Sequence, residues 1–365
     1  MKVPFNYLNY QFKDKKKYFT EWTKLINSSE FTLGPYVEKF EKLFAKYVGL
    51  KHCISTNNGT DALILSLKSL GVKKDDEVIT VCNSFYATAG AIDACGAKII
   101  FVDSDDRYQI NIDKIEKAIT KKTKVILPVH WAGASPNMSD IVKIAQKYKI
   151  KVVEDACMGI GAKILKKSPG TFGIVNAFSM HPLKSLNVMG DGGMIGTNDD
   201  KIAAWLRKYR NHGMINRDKL SMWGVNVRMQ PLQSVVANIQ LKEVDKIIEK
   251  RIMNANFLDR ELAKNKNIQI PRRIKGYRET FALYMANFKK RDELKRYLIK
   301  NKIEVKIHYP IPLHLQQPSK NCGYKKGNFP IAEKQAKELL TLPVHQYLKI
   351  NQLKYMVKKI DDFYR

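Results

Sequence analysis

Apolar positions along the first part of the chain follow two rhythms. Val37, Phe40, Leu43, Phe44 and Tyr47 recur three or four residues apart, with Pro35 before them and Gly49 just beyond. That spacing predicts an amphipathic helix that opens at the proline and stops at the glycine. Further on, the apolar residues gather into short unbroken runs at residues 77–81, 98–103, 125–129, 152–155, 177–179 and 194–197. Runs of this length, with no polar alternation, predict strands buried on both faces. Helix-like stretches at 61–70, 112–119 and 138–147 lie between them. Strand and helix alternating in this way predict a largely parallel sheet covered by helices, with ligands beyond the carboxyl ends of its strands.

The rhythm changes near residue 241, where a long charged amphipathic helix is expected over 241–262, then a shorter strand–helix alternation and a final helix over 352–364. The expected fold class is therefore α/β. A large domain, residues 1–245, would hold the mostly parallel sheet, and residues 246–365 would form a smaller C-terminal α/β domain. A chain of 365 residues exceeds the size at which one hydrophobic core stops growing.

Composition narrows the setting. The chain is 44% hydrophobic, in the range of packed globular proteins, but no apolar run approaches the ~18 residues of a membrane span. The opening residues carry no apolar signal core, so a cytoplasmic protein is expected. Cysteines at 53, 82, 95, 157 and 322 form no CxxC pair, which suits free thiols in a reducing compartment. The seven histidines form no HExxH motif, and no metal site is expected. The net charge of +29 comes from lysines spread along the whole length. With no basic tail and no basic–aromatic repeat, it reads as a solvated surface that also attracts phosphorylated, anionic substrates, not as a nucleic-acid site.

Candidate chemistry concentrates in a few positions. Lys184 follows a short apolar run and precedes the turn Gly190-Asp-Gly-Gly193, while Asp155 ends a buried run. A lysine amine can form a Schiff base with an aldehyde cofactor, and a buried aspartate can keep a pyridine nitrogen protonated. Together they are the minimal equipment of a pyridoxal phosphate enzyme. Burying the Asp155 carboxylate alone would cost several kcal/mol, so a positive group should face it, unless it caps a helix or pairs with a surface lysine. Thr56-Asn-Asn-Gly-Thr-Asp-Ala-Leu63 joins a strand to a helix. There Gly59 and Thr60 either begin a phosphate-binding helix N-terminus or serve an ordinary cap. Phe85 directly follows a strand-like run, placed to stack on a flat ring or to fill the core.

Longer stretches carry a resemblance. They include Phe31-Thr-Leu-Gly-Pro35, Asn58-Gly-Thr-Asp-Ala-Leu63, Gly90-Ala-Ile-Asp-Ala-Cys-Gly-Ala97, Glu154-Asp-Ala156, and residues 178–193. Arg210-Asn-His-Gly213, Gly224-Val-Asn-Val-Arg228, His308-Tyr-Pro-Ile-Pro-Leu-His314 and Leu342-Pro-Val-His345 continue it. In these the chain resembles the DegT-type sugar aminotransferases, pyridoxal phosphate enzymes of fold type I. The resemblance implies that Lys184 is the Schiff-base lysine, Asp155 the pyridine partner and Phe85 the stacking aromatic. It implies phosphate contacts from Gly59, Thr60 and Ser179, with Asn226 reaching across from a second subunit, and hence a homodimer with shared sites. Arg228, Tyr309 and His314 would line the substrate pocket, and glutamate would be the amino donor. The implied acceptor is a keto-sugar nucleotide, for surface polysaccharide or another amino-sugar product. Relatives with histidine in place of the lysine act as dehydratases, so Lys184 implies transamination. One position departs from the pattern: Met158 stands where the family has a Gln or His that bonds the cofactor's phenolic oxygen, and a thioether is a poor hydrogen-bond partner. A smaller phosphorylated ketone or aldehyde as acceptor, and a regulatory or DNA-binding role, are the competing readings.

Overall fold

A computed structural model describes residues 1–365. Its strands are β1 (His52–Thr56), β2 (Glu77–Val81), β3 (Lys98–Val102), β4 (Thr123–Leu127), β5 (Lys151–Asp155), β6 (Lys163–Ile164), β7 (Val175–Ser179) and β8 (Gly193–Thr197). All but β6 form one seven-stranded sheet in the order β1-β8-β7-β5-β4-β2-β3. Only β8 runs against its neighbours; β7, β5, β4, β2 and β3 pair in parallel. Every residue of β2, β7 and β8 is buried, which explains why these strands read as unbroken apolar runs: helices cover both faces of the sheet.

The helix Pro35–Val48 buries Val37, Phe40 and Phe44 and ends at Gly49, whose φ of 85° is the left-handed value that closes a helix. Leu43, grouped with them by spacing, stays partly exposed. The helix expected over 112–119 is broken: a 3₁₀ turn at Ile112–Lys114 passes into a single turn, Ile115–Ala118. Isoleucines spaced like a helix suffice to anchor one turn, but a segment this short has too few hydrogen bonds to propagate a longer one. The segments Lys16–Ser28, Asp200–Tyr209 and Pro231–Gln240 add helices that the apolar pattern did not announce.

The C-terminal part adds β9 (Ile268–Gln269), β10 (Tyr277–Arg278), β11 (Tyr284–Phe288) and β12 (Leu339–Leu342). A three-stranded antiparallel sheet has the order β12-β11-β9, while β10 reaches back to pair with β6. Its core joins Leu258, Phe288, Leu298, Leu340 and Ile360, and also takes in Val3 from the start of the chain. The expected division near residue 245 falls in the first turn of the helix Val244–Leu262. No helix is long and apolar enough to cross a membrane, and all five cysteines are free thiols.

Candidate active site

A cleft of about 600 Å³ opens beyond the carboxyl ends of β1, β2, β5 and β7, where the fold predicts a ligand. Asp155, the last residue of β5, lines it and is 4% exposed. Thr88 Oγ1 donates to Asp155 Oδ2 at 2.7 Å, and Ser84 Oγ donates to Thr88 Oγ1 at 2.8 Å. The backbone N–H of Cys157 donates to the other carboxylate oxygen at 3.2 Å. These partners are all neutral, so the buried carboxylate still has a charge that a cation in the cleft would balance.

Lys184 lines the same cleft from the loop that joins β7 to β8. Burial holds its amine below the usual lysine range, and the nearby Cys157 sulfur and Asp155 carboxylate offset this only in part. A depressed amine is the form that attacks a carbonyl. His181 is also held low, by burial first and then by the Lys184 charge. Burial and Lys184 together push His308 down to about 4.

A third wall comes from the helix Gly59–Ser69. Asn58 caps it, its side chain accepting from Asp61 N–H at 2.8 Å. At the first positions of the helix, the N–H groups of Gly59 and Thr60 keep no partner within it, and both residues line the cleft together with Ser179, which ends β7. A Cβ on residue 59 would sit 2.7 Å from Ser179 Cβ and 3.1 Å from Cys157 Sγ, so only glycine lets helix and strand end come this close. Across the strand pairing Thr56↔Gly193, a Cβ on Gly193 would lie 2.1 Å from Asn58 O, which explains the glycine that closes the Lys184 loop. Aligned N–H groups at such a helix start, with a hydroxyl alongside, bind phosphate.

Aromatic rings complete the enclosure. Phe85 caps the helix Tyr86–Asp93 and is 49% exposed to the cleft. Its ring lies 5.3 Å from Tyr86 and 6.1 Å from Tyr309, and Tyr309 lies 5.8 Å from Trp131. Met158 lines the cleft as well.

Gly59, Thr60, Phe85, Asp155, Ser179, Lys184 and Tyr309 thus converge on one cleft. Others of the sequence candidates lie elsewhere. Asn226 is exposed, and Arg228 donates to Asn211 Oδ1 at 2.8 Å, both on a segment outside this chain's own cleft. His314 is a correction: it is 2% exposed, with Nε2 3.1 Å from Glu333 Oε1 and its ring edge-on to Phe329 at 4.7 Å. Buried and paired through Nε2, it does not line this chain's cleft. Thr88, Ser84, His181 and Trp131 were not singled out from sequence. The Thr88 hydroxyl had a signal of sorts, since it lies one helical turn after Ser84 beside a candidate aromatic.

A family model, the DegT/DnrJ/EryC1/StrS aminotransferase family, matches residues 13–361. The chain belongs to that family. It is similar to a "pleiotropic regulatory protein" of Geobacillus stearothermophilus, 39% identical across 100% of this chain and 99% of that one. It is also similar to dTDP-3-amino-3,4,6-trideoxy-alpha-D-glucose transaminase of Micromonospora megalomicea subsp. nigra, 34% identical across 89% of this chain and 88% of that one. Among solved structures, S. venezuelae DesV superposes with a TM-score of 0.96 at 30% identity, covering 99% of this chain and 98% of that one. Bacillus subtilis ntda with bound cofactor PMP gives 0.92 at 30% identity, covering 99% and 85%.

The protein is a pyridoxal-phosphate-dependent aminotransferase of fold type I. The residues present fit the cofactor: a glycine-backed helix start for the phosphate, an exposed ring, and a buried carboxylate lacking a cation.

Proposed function

We propose that this aminotransferase works as a homodimer and moves an amino group from glutamate to a keto-sugar nucleotide, in amino-sugar or surface-polysaccharide synthesis. The observation that carries the reading is the placement of Lys184 and Asp155 on one cleft, with the start of the helix Gly59–Ser69 packed against Ser179 and Cys157 in the same cleft. The names of the relatives support the acceptor class. Besides the transaminase from Micromonospora, a UDP-2-acetamido-2-deoxy-3-oxo-D-glucuronate aminotransferase of Pseudomonas aeruginosa is 35% identical over 95% of this chain. The regulatory reading rests on the names of relatives alone, whereas a depressed lysine and a buried aspartate in one cleft favour catalysis.

Bound pyridoxal phosphate supplies an electron sink for the bond that breaks at the donor's Cα. Around it, Asp155 holds a proton on the ring nitrogen, with Thr88 fixing the carboxylate from behind. Lys184 contributes the amine that takes up and returns the proton which moves in transamination. Gly59, Thr60 and Ser179 would hold the phosphate, and Phe85 would cover the ring. Tyr309, among the aromatic rings, faces the substrate. The high positive charge draws in an anionic nucleotide.

For the dimer, the support is the segment that carries Asn226 and Arg228. Its Ile215, Leu220 and Trp223 are 58%, 51% and 88% exposed, and apolar surface of this kind marks a protein contact. Seated on a partner, the segment would bring Asn226 to the partner's phosphate and Arg228 to its substrate.

The test supplies purified enzyme with glutamate and a panel of dTDP- and UDP-linked keto-sugars, and assays the product amines by mass. Amination of at least one member is expected, and Lys184→Ala abolishes it. Acceptance of a small phosphorylated ketone while every keto-sugar nucleotide fails would overturn the acceptor, and turnover by Lys184→Ala would overturn the lysine's role. Borohydride trapping of pyridoxal phosphate on the apoprotein adds a pH test. Because burial disfavours the ammonium form, the Lys184 adduct should reach half its maximal rate below the ~10.4 of a free lysine.

A further inference from the structure

Arg251 is a buried charge to which the chemistry above gives no task. It is 1% exposed on the helix Val244–Leu262, and its hydrogen bonds go to neutral groups. Nε donates to Gln346 Oε1 at 3.1 Å, Nη2 donates to the Tyr7 hydroxyl at 2.6 Å, and the guanidinium lies 5.2 Å from the centre of the Tyr7 ring. Burying a guanidinium without a carboxylate costs free energy that a plain structural bond would not require.

The far side of Tyr7 shows what the charge acts on. Tyr7, 4% exposed, donates its own proton to Leu183 O at 3.3 Å. That oxygen belongs to the peptide group that joins Leu183 to Lys184, and the N–H of the same group donates to His181 O at 2.8 Å. Both ends of the peptide plane that sets the Lys184 Cα–Cβ direction are therefore held. Only the Tyr7 end is adjustable by a side chain. A hydroxyl that accepts from a cation becomes a stronger donor, because hydrogen bonds in series polarise one another.

We propose that Tyr7, polarised by Arg251, is a positioning residue that orients Lys184. The inference rests on the reading of Lys184 as the aldehyde-binding lysine. The segment bearing Tyr7 is itself anchored at a distance from the cleft: Val3 N–H donates to Lys302 O at 2.9 Å, and His345 Nε2 lies 3.0 Å from Pro4 O. The start of the chain is thus a strut between the C-terminal core and the lysine's peptide group.

The test uses the full-length chain. Apoprotein is mixed with pyridoxal 5′-phosphate, quenched with borohydride at set times, and the Lys184 adduct quantified by peptide mass; kcat and KM are measured on the reloaded enzyme. Tyr7→Phe keeps the ring and removes only the hydroxyl. It should slow adduct formation and lower kcat by about tenfold each, with the KM for the donor within about twofold, as loss of orientation requires. Tyr355→Phe removes a comparable bond to Asn301 O, 3.2 Å long and remote from the cleft, and should change neither rate. Arg251→Met should lower both rates, and combining it with Tyr7→Phe should add little, because the two act in one chain of bonds. Wild-type rates for Tyr7→Phe, an equal loss in Tyr355→Phe, or additive losses in the double variant would each overturn the proposal. If the unaltered protein gives no adduct at Lys184, it is the lysine's assignment that fails.

Discussion

The floor of the cleft and the segment 211–229 are built by opposite rules. On the floor, Asp155 and Ser179 end buried strands, Gly59 starts a capped helix, and each is fixed by neighbours from the same chain. In segment 211–229, Asn226 is exposed, Arg228 is tied only to Asn211, and Trp223 stands 88% in solvent. A parallel sheet covered on both faces leaves its strand ends almost no freedom, so the floor is complete within one chain. The segment packs on the core through Val225, Val227 and Met229, but its Ile215, Leu220 and Trp223 are left outside that packing. Under the proposed dimer, the difference would mean that cofactor chemistry is set by the sheet, while affinity is left to a surface that a second copy would complete.

The sharpest way to break that contrast is at Asp155. Asp155→Asn keeps the shape and the Thr88 contact but removes the charge, so the protein should still bind cofactor while kcat falls by about 10²–10³-fold, the scale of losing one preorganised electrostatic partner. Stopped-flow measurement of the donor half-reaction checks it; a rate within about threefold of wild type would show that the carboxylate is not facing the ring.

Next in size is Gly59→Ala. The added methyl meets Ser179 Cβ at 2.7 Å, and something at the phosphate end has to move. Overpacking of this kind costs about 1–3 kcal/mol, so titration of the apoprotein with pyridoxal phosphate should show affinity weaker by about 10–100-fold. Unchanged affinity would mean that the helix start does not hold the phosphate.

The same contrast explains what could be read in advance. Strands β2, β5 and β8 were legible because burial on both faces leaves a continuous apolar signature, and Asp155 and Lys184, which both line the cleft, stood out as polar residues at or just beyond such runs. Thr88 was not, since its hydroxyl matters only because the helix Tyr86–Asp93 packs beside the end of β5, a fact of tertiary structure. His314 misled for the complementary reason. Its Pro-rich stretch resembles a pocket loop, yet Glu333, nineteen residues on, takes up its ring nitrogen and turns it inward. Tyr7 and Arg251, separated by 244 positions, had no local signal at all.

The mildest perturbation probes segment 211–229. Asn226→Ala should weaken cofactor binding by about 5–10-fold, the worth of one ordinary hydrogen bond of about 1 kcal/mol. Loss of affinity alone does not tell a contact within the chain from one across the dimer, but mixing does. Lys184→Ala is inactive in every site it forms with itself, and Asn226→Ala at limiting cofactor is starved in every one of its own. When the two are mixed and allowed to exchange subunits, each hybrid dimer contains one intact site, with Lys184 from the Asn226→Ala subunit and Asn226 from the Lys184→Ala subunit. Activity above the sum of the parents at limiting pyridoxal phosphate is therefore expected. Activity equal to that sum, with subunit exchange verified by mass, would place Asn226 on its own chain's site or on none, and the cleft would then need no second copy to be complete.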